Sequence, residues 1–449
     1  MSRAGSADTI AEFVASTSVT DIPTSVLDTT RWLLLDSFAC ALAATSLLPE
    51  VDALLGAVGA LGSGSDSTLI GVKRRSAPAA AAFVNGGLVH GLNYDAVGPN
   101  YAHVAAGTVP SALAVAEASG TSGRELLAAV ALAAEVSCRL TVAAADPLST
   151  QGWLMGQLLA VFSSALGAAR ATGLDARATA SALGVALMQA GGTTQVMADG
   201  GAPAKSVYAA FPALSGVVAA ATAGRGLDAT MDVFDGRAGL FARFLPDASP
   251  SVLTEGLGSV WYADAVEFKR WPNTAVAHPF LHALVDADAG RRTPTAVAFR
   301  IGHEREAFFD PDRTAWRPSS VGTAGNSVPY AVACQLVNGA FDLDSLRPEA
   351  FQSVGVLGLL DETAVEWHDG ELDEIEITFG DGGQMHLPIS PGQHGGAQPG
   401  HNLLDKLRAC GRRARHSMSD DAVMSLLTAT MELEGAEDLT QVQRALTPD

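Results

Sequence analysis

The chain has 449 residues, 48% of them apolar, with 28 basic against 48 acidic side chains and a net charge of −20. That apolar share excludes a disordered chain, and the length predicts two or three domains that bury their cores without staples. The acidic balance argues against a nucleic-acid or anionic-membrane surface, which needs a basic face, but leaves room for an anionic small substrate in a locally positive pocket. Four well-separated cysteines (Cys40, Cys138, Cys334, Cys410) form no CxxC pair, so neither a zinc ribbon nor a disulfide framework is expected. The opening MSRAGSADTI lacks a charged segment followed by an apolar one, so no secretory signal is expected. Residues 158–169 and 207–222 are apolar but rich in Ala, Ser and Gly, and read as buried helices, not membrane spans. The expectation is a soluble cytoplasmic protein with no membrane and no nucleic-acid partner.

Residues 1–265 read as helices. Asp21-Ile22-Pro23 looks like a helix start with Asp21 as N-cap, followed by a mostly buried helix over 26–43. Helices follow over 78–92 and 110–118, each with Pro in the first turn, and over 122–141, where Ser122 and Glu125 have capping-box spacing. Further helices fit 152–172, 175–189, 205–223 and 228–234. The texture changes near residue 265. Val297, Phe299 and Ile301 alternate as in a strand, and Ile375, Ile377 and Phe379 lead through a Gly-rich turn into a returning strand, a β-hairpin. Helices over 328–337 and 347–358 lie between these strands. Residues 390–400 (SPGQHGGAQPG) read as a linker, and 403–410 and 422–432 return to helix. The fold class expected is mainly α with an α+β part: a helical domain of residues 1–265 plus 400–449, interrupted by a smaller α+β domain over 266–399.

Lysine usage is the sharpest compositional signal. Lys73, Lys205, Lys269 and Lys406 are the only four lysines, beside 24 arginines. Arg stays protonated, whereas a buried Lys gives up a proton more easily, so scarce lysines mark jobs that Arg cannot do. Lys73, next to Arg74 and Arg75, reads as a solvated loop, and Lys406 as the surface of a tail helix. GxG-like runs such as Gly62-Ser-Gly64 do not sit between a strand and a helix, so no dinucleotide site is expected. His394 and His401 flank the linker and read as solvated, and with no metal-ligand spacing elsewhere no metal is expected.

Several segments, in order from about residue 8 to 410, resemble the MmgE/PrpD family of 2-methylcitrate dehydratases, cis-aconitate decarboxylases and an iminodisuccinate epimerase. They are Asp21-Ile-Pro with Arg31-Trp-Leu-Leu-Leu-Asp36; Ser67-Thr-Leu-Ile-Gly71, Asn85-Gly86 and His90-Gly-Leu-Asn93-Tyr-Asp95; His103, Pro110 to Glu117 and Gly120 to Leu127; Lys205 to Gly216 and Phe234-Asp-Gly236; Phe268-Lys269-Arg-Trp-Pro272 with His278-Pro279; and Asn326-Ser-Val-Pro-Tyr330. The resemblance implies a helical domain broken by an α+β lid, a site between them, a homodimer, and an enzyme that needs no cofactor. Such enzymes move protons beside a carboxylate, which calls for a base near neutrality, cations and a proton donor. His103, Lys205, Lys269 and His278 match the family's pocket positions in type and are the expected catalytic residues. Asn93, Tyr94, Asp95, Val97, Trp153, Leu154, Met155, Tyr208, Arg270 and Tyr330 are the expected substrate-binding residues, Tyr330 reading equally as a lid-core aromatic.

The sequence also departs from the family pattern. Typical members read Asp-Phe-Asp-Asp-Thr where this chain has Asn93-Tyr94-Asp95-Ala96-Val97. A family histidine is replaced by Leu154, another by Tyr208, and His-Pro-Gly by His103-Val104-Ala105. Losing donors and gaining apolar wall favours a larger, less charged small-molecule substrate. The first expectation is therefore a specialised-metabolism enzyme that cyclises (by cycloaddition, for instance), isomerises or eliminates on a bulky polyketide-like substrate with a carbonyl or acidic head. The alternative is a dehydratase or decarboxylase of a small polycarboxylate. A second alternative is a catalytically silent binding protein on the same fold.

Overall fold

The computed structural model describes residues 5–144, 152–198, 203–309, 312–314, 316–370, 372–390 and 401–447. Its helical part is built around the Met155–Ala171 helix, which packs against the Thr108–Ser119, Gly123–Ala143, Ala176–Leu187 and Ala210–Ala223 helices. Small residues make this crowding possible. A Cβ placed on Gly216 would lie 2.5 Å from backbone and side-chain atoms of Ser164, so the Ala210–Ala223 helix crosses its neighbour at backbone distance only because residue 216 has no side chain. Of the expected capping box, Ser122 accepts from the Glu125 N–H, but the Glu125 carboxylate pairs with Arg170 at 2.8 Å; Asp175 also caps its helix, accepting from the Ala178 N–H.

Three expected helices change. Asp21 lies in a short 3₁₀ turn capped by Ser18, and the long helix starts later, at Thr24, running to Leu47. The 205–223 segment is broken: Pro203–Val207 is 3₁₀, and the α-helix begins at Ala210. Pro212 explains the late start, because a proline without N–H is tolerated in a first turn but not inside a helix. Residues 228–234 are not helical: 228–232 are irregular, 233–234 enter a turn, and the Asp228 carboxylate accepts from Arg177 at 3.1 Å. Gly123–Ala143 and Pro203–Ala223 are each long and apolar enough to cross a membrane; they are 94% and 61% buried inside the fold. The first is thus spent on helix neighbours, while the second leaves Phe211 and Val218 exposed.

The later part holds a four-stranded sheet in the order Thr363–His368, Pro294–Gly302, Glu374–Phe379, Gln384–Pro388. The first pair is parallel and the others antiparallel, so the expected hairpin is present. The parallel edge strand Thr363–His368 was not expected; its residues are mostly half-exposed and carry a weak alternation. Val297, Phe299, Ile301, Ile375, Ile377 and Phe379 point to one buried face, where Phe299 meets Phe280 and Phe309. The Val328–Asn338 and Val354–Asp361 helices occupy the crossover between the parallel strands; the helix expected over 347–358 starts only at Val354, after a 3₁₀ turn at Ala350–Gln352. The linker at 391–400 lies outside the described residues. Beyond it, the His401–Arg412 helix packs on the Thr24–Leu47 helix.

Candidate active site

The Pro78–His90 helix ends in a tight loop that carries Asn93, Tyr94 and Asp95. Asn93 adopts φ +49°, a left-handed conformation that Asn tolerates better than most residues. The turn aims Asp95 inward, fully buried, between two imidazoles: His90 Nδ1 lies 3.1 Å from one carboxylate oxygen and His103 Nδ1 2.9 Å from the other. Burial works to raise the Asp95 carboxyl, but the two histidines outweigh it and hold it well below the usual carboxylate range. An ionised Asp95 only accepts, so both histidines donate through Nδ1 and both Nε2 atoms carry the free lone pair.

The two histidines differ in access. Burial pulls His90 down to about 3, so it stays neutral; its Nε2 is buried without a hydrogen-bond partner among the described residues, and its ring lies 4.4 Å from that of Tyr208. His103 keeps 19% of its side chain exposed and sits edge-on to His90 at 4.5 Å. Its pKa is lowered by burial, with Asp95 opposing and the Lys269 and Lys205 ammoniums adding to the fall. His103 Nε2 is therefore the proton-accepting atom of the group that a substrate can reach. The donor atoms of His90, Asp95 and His103 lie within 4.8 Å of one another, a spacing that fits a metal ion, yet both Nδ1 atoms are already engaged with Asp95.

Two lysines approach the same loop. Lys269 Nζ donates to the Asn93 carbonyl at 2.9 Å and to Asn93 Oδ1 at 2.8 Å. Asn93 Nδ2 donates to Asn326 Oδ1 at 3.1 Å, and Lys205 Nζ donates to the same oxygen at 3.0 Å. The chain Lys269–Asn93–Asn326–Lys205 thus joins two buried ammoniums through neutral amides. Burial, then the Lys269 charge, brings Lys205 down to about 7, and burial brings Lys269 down to about 8. Both lysines can therefore change protonation near neutral pH.

Lys406, expected on a tail surface, is buried instead. Its Nζ donates to Asp36 Oδ1 and to the Tyr94 carbonyl, both at 2.6 Å, and lies over the Tyr94 ring at 3.7 Å. Burial works to lower the Lys406 ammonium, but Asp36 outweighs it and holds it above the ordinary lysine value. The other Asp36 oxygen accepts from the Ala96 N–H at 3.0 Å. One ion pair thus fixes the loop backbone on both sides of Asp95. Lys406 reaches the Lys269 carbonyl at 3.4 Å, Tyr94 donates its hydroxyl to the Arg270 carbonyl at 3.0 Å, and Val97 and Glu267 exchange backbone bonds. The segment bearing Lys269 is stapled to the segment bearing Asp95.

Of the expected residues, His103, Lys205, Lys269, Asn93 and Asp95 come together. Tyr94 and Val97 serve the staple. Tyr208 packs on His90, and Gly156 makes room for it, since a Cβ there would overlap the Tyr208 hydroxyl. Leu154 is buried and its N–H donates to the Gly192 carbonyl; Met155 is half-buried, and Trp153 pairs with Thr193 and rests on Phe244. His278 is fully buried with its ring against Trp271. Arg270 is exposed, its guanidinium over Trp271. Tyr330 is a core residue of the α+β part: its hydroxyl donates to the Ser345 carbonyl at 2.9 Å, and Phe341 and Phe351 pack around it. His90, Asn326, Asp36 and Lys406 were not expected. Only lysine scarcity signalled Lys406, and only the Asn326-to-Tyr330 segment signalled Asn326.

The sequence pattern of the MmgE/PrpD N-terminal domain matches residues 8–253. The chain is 29% identical to a cis-aconitate decarboxylase-like protein of Aspergillus oryzae, over 96% of this chain and 95% of that one. It is 28% identical to cis-aconitate decarboxylase of Homo sapiens, over 81% and 78% of the two chains. It is 24% identical to cis-aconitate decarboxylase of Aspergillus terreus, over 78% and 77%. With the family pattern covering more than half of the chain and relatives aligned over most of the rest, this protein belongs to the MmgE/PrpD family.

Proposed function

We propose that the protein is a lyase that decarboxylates a small unsaturated polycarboxylate of the cis-aconitate type. The carrying observation is the grouping of Lys205, Lys269 and His103 around the loop of Asn93 and Asp95, with no carboxylate in ion-pair contact with either lysine among the described residues. The relatives' names support the same class of reaction. The expectation of a pocket stripped of acid–base groups, and with it the bulky-substrate cyclase, finds less support: Tyr208 is spent on His90 and Leu154 is buried.

The chemistry asks for little more than these groups. A carboxylate one carbon removed from a double bond leaves as carbon dioxide when its C–C bond breaks. The electron pair forms a new double bond to the central carbon, and the far carbon of the old double bond takes a proton. The lysine charges hold the remaining carboxylates, and a cationic site concentrates polyanions despite the acidic whole. His103, oriented by Asp95, takes up a proton at Nε2 and passes it to the far carbon, and Lys205 is poised to restore it.

The test is product analysis by NMR after incubation with cis-aconitate, 2-methylcitrate and citrate, beside Lys205→Ala and His103→Ala. Carbon dioxide loss from cis-aconitate that both variants abolish is the expected result. Water loss from 2-methylcitrate or citrate alone would replace decarboxylase by dehydratase. No turnover of any of the three by folded protein would overturn the reading.

A further inference from the structure

The amide bridge between Lys205 and Lys269 suits a second kind of chemistry, beyond the non-covalent lyase reading. Three of the four lysines are buried, and the structure treats them differently. Lys406 faces a carboxylate, Asp36, at 2.6 Å. Lys205 and Lys269, 6% and 1% exposed, face only amide and carbonyl oxygens among the described residues. Asn93 stands between them, its Oδ1 accepting from Lys269 and its Nδ2 donating to the Asn326 oxygen that also accepts from Lys205. A carboxylate at position 93 would pair with Lys269; the amide leaves two like charges with no carboxylate in contact among the described residues, Asp95 acting on both only from a distance. Like charges in a desolvated site drive one ammonium to shed its proton, which turns a lysine into a nucleophile.

We propose that Lys205 forms an imine with the carbonyl of an oxo acid, and that the protein decarboxylates 3-oxo acids through it. The amine nitrogen adds to the carbonyl carbon, and the resulting carbinolamine loses water to give the iminium. In a 3-oxo acid the bond to the carboxylate then breaks, its electron pair moving through the new C=C bond onto the iminium nitrogen to give an enamine and carbon dioxide. Protonation at carbon and hydrolysis return the ketone and free Lys205. His103, backed by Asp95 and 19% exposed, takes the proton that the attacking nitrogen releases and returns it to the departing water, and Lys269 is the cation for the substrate carboxylate. Lys205 is the nucleophile because Lys269 is held by two Asn93 oxygens and is the more deeply buried. The charged groups acting on Lys205 agree with this: Lys269 lowers its pKa and Asp95 raises it less.

Borohydride trapping tests this without any turnover of cis-aconitate. Full-length protein is incubated with acetoacetate, pyruvate or 2-oxoglutarate, reduced with sodium borohydride, and digested for peptide mass spectrometry. The expected result is a reduced adduct on the Lys205 peptide with at least one of these acids, absent from Lys205→Arg. Asn93→Asp is the second variant. It is isosteric, accepts the same left-handed φ, and restores a counter-charge beside the lysines. Each unit by which a lysine pKa rises cuts its neutral fraction below that pKa about tenfold, so trapping near pH 6 falls roughly three- to tenfold in Asn93→Asp. No adduct with any of the three acids, an adduct on Lys269 in place of Lys205, or trapping unchanged in Asn93→Asp would each overturn the proposal.

Discussion

Replacing Lys406 by Met separates a buried lysine from a surface one. The Lys406 and Asp36 side chains are 3% and 0% exposed and meet at 2.6 Å. Methionine removes the ammonium and fills much of the same volume, so little cavity forms and the main loss is electrostatic. Asp36 is left as an unpaired buried carboxylate, and the Tyr94 carbonyl loses its donor. Breaking one side of a buried pair typically costs about 3–5 kcal/mol, whereas a surface lysine contributes well under ~1 kcal/mol. The deficit depends on pH. Burial, the largest influence on Asp36, raises its folded-state pKa, and the variant lacks the lysine that opposes this. A raised carboxyl favours folding while it is protonated, and that support is lost as pH rises through the folded value, so the deficit shrinks toward acid pH. Urea unfolding of both proteins at several pH values reads this from the midpoint at constant m-value. Adding Asp36→Leu to the variant recovers part of the loss, because an apolar pair needs no partner. A Lys406→Met deficit below ~1 kcal/mol at neutral pH would refute the reasoning.

Other expectations follow from the same contacts. Asp95→Asn removes the anion that fixes both imidazole tautomers, and kcat falls about 10²–10⁴-fold with the melting temperature little changed, checked by steady-state kinetics and calorimetry. The unfolded chain holds the Lys205 proton up to about 10.5 while the folded chain releases it from about 7. Between those values the unfolded state binds more protons, so this residue makes stability rise with pH, and Lys205→Met stabilises by on the order of 1–2 kcal/mol at about pH 6 and by less at about pH 10. Gly156→Ala forces the Tyr208 hydroxyl away and costs roughly 1–3 kcal/mol, with the His90 imidazole resonances shifting in NMR spectra. Tyr330→Phe loses only the bond to the Ser345 carbonyl, about 1 kcal/mol, and leaves turnover unchanged.

Local signals made most helices legible: Pro in first turns, the Ser122 cap, and apolar spacing. Alternation exposed the hairpin but not the parallel edge strand, whose pairing with Pro294–Gly302 depends on a crossover of sixty residues rather than on its own pattern. In the site, scarcity drew attention to Lys205 and Lys269, and the family motifs located them. Lys406 was misread because its partner Asp36 stands 370 residues earlier, and a solvated helix surface was the better local account. His90, at the end of a buried helix, looks like any structural histidine until Asp95 is seen between it and His103. Asn93 appeared in the sequence as a lost carboxylate. Its positive role, joining two lysines through an amide, depends on Asn326, which lies 233 residues away.

The central claim is one polyanion site whose lysines gain protons when a carboxylate arrives. Calorimetric titration with propane-1,2,3-tricarboxylate, which has no double bond to shift, measures it directly when repeated in buffers of different ionisation heat. Near pH 8 Lys205 and about half of Lys269 are neutral in the free protein, so binding takes up roughly one proton per site. The account predicts that uptake, reduced in Lys205→Met. Binding without proton uptake, or uptake that survives in Lys205→Met, would contradict it.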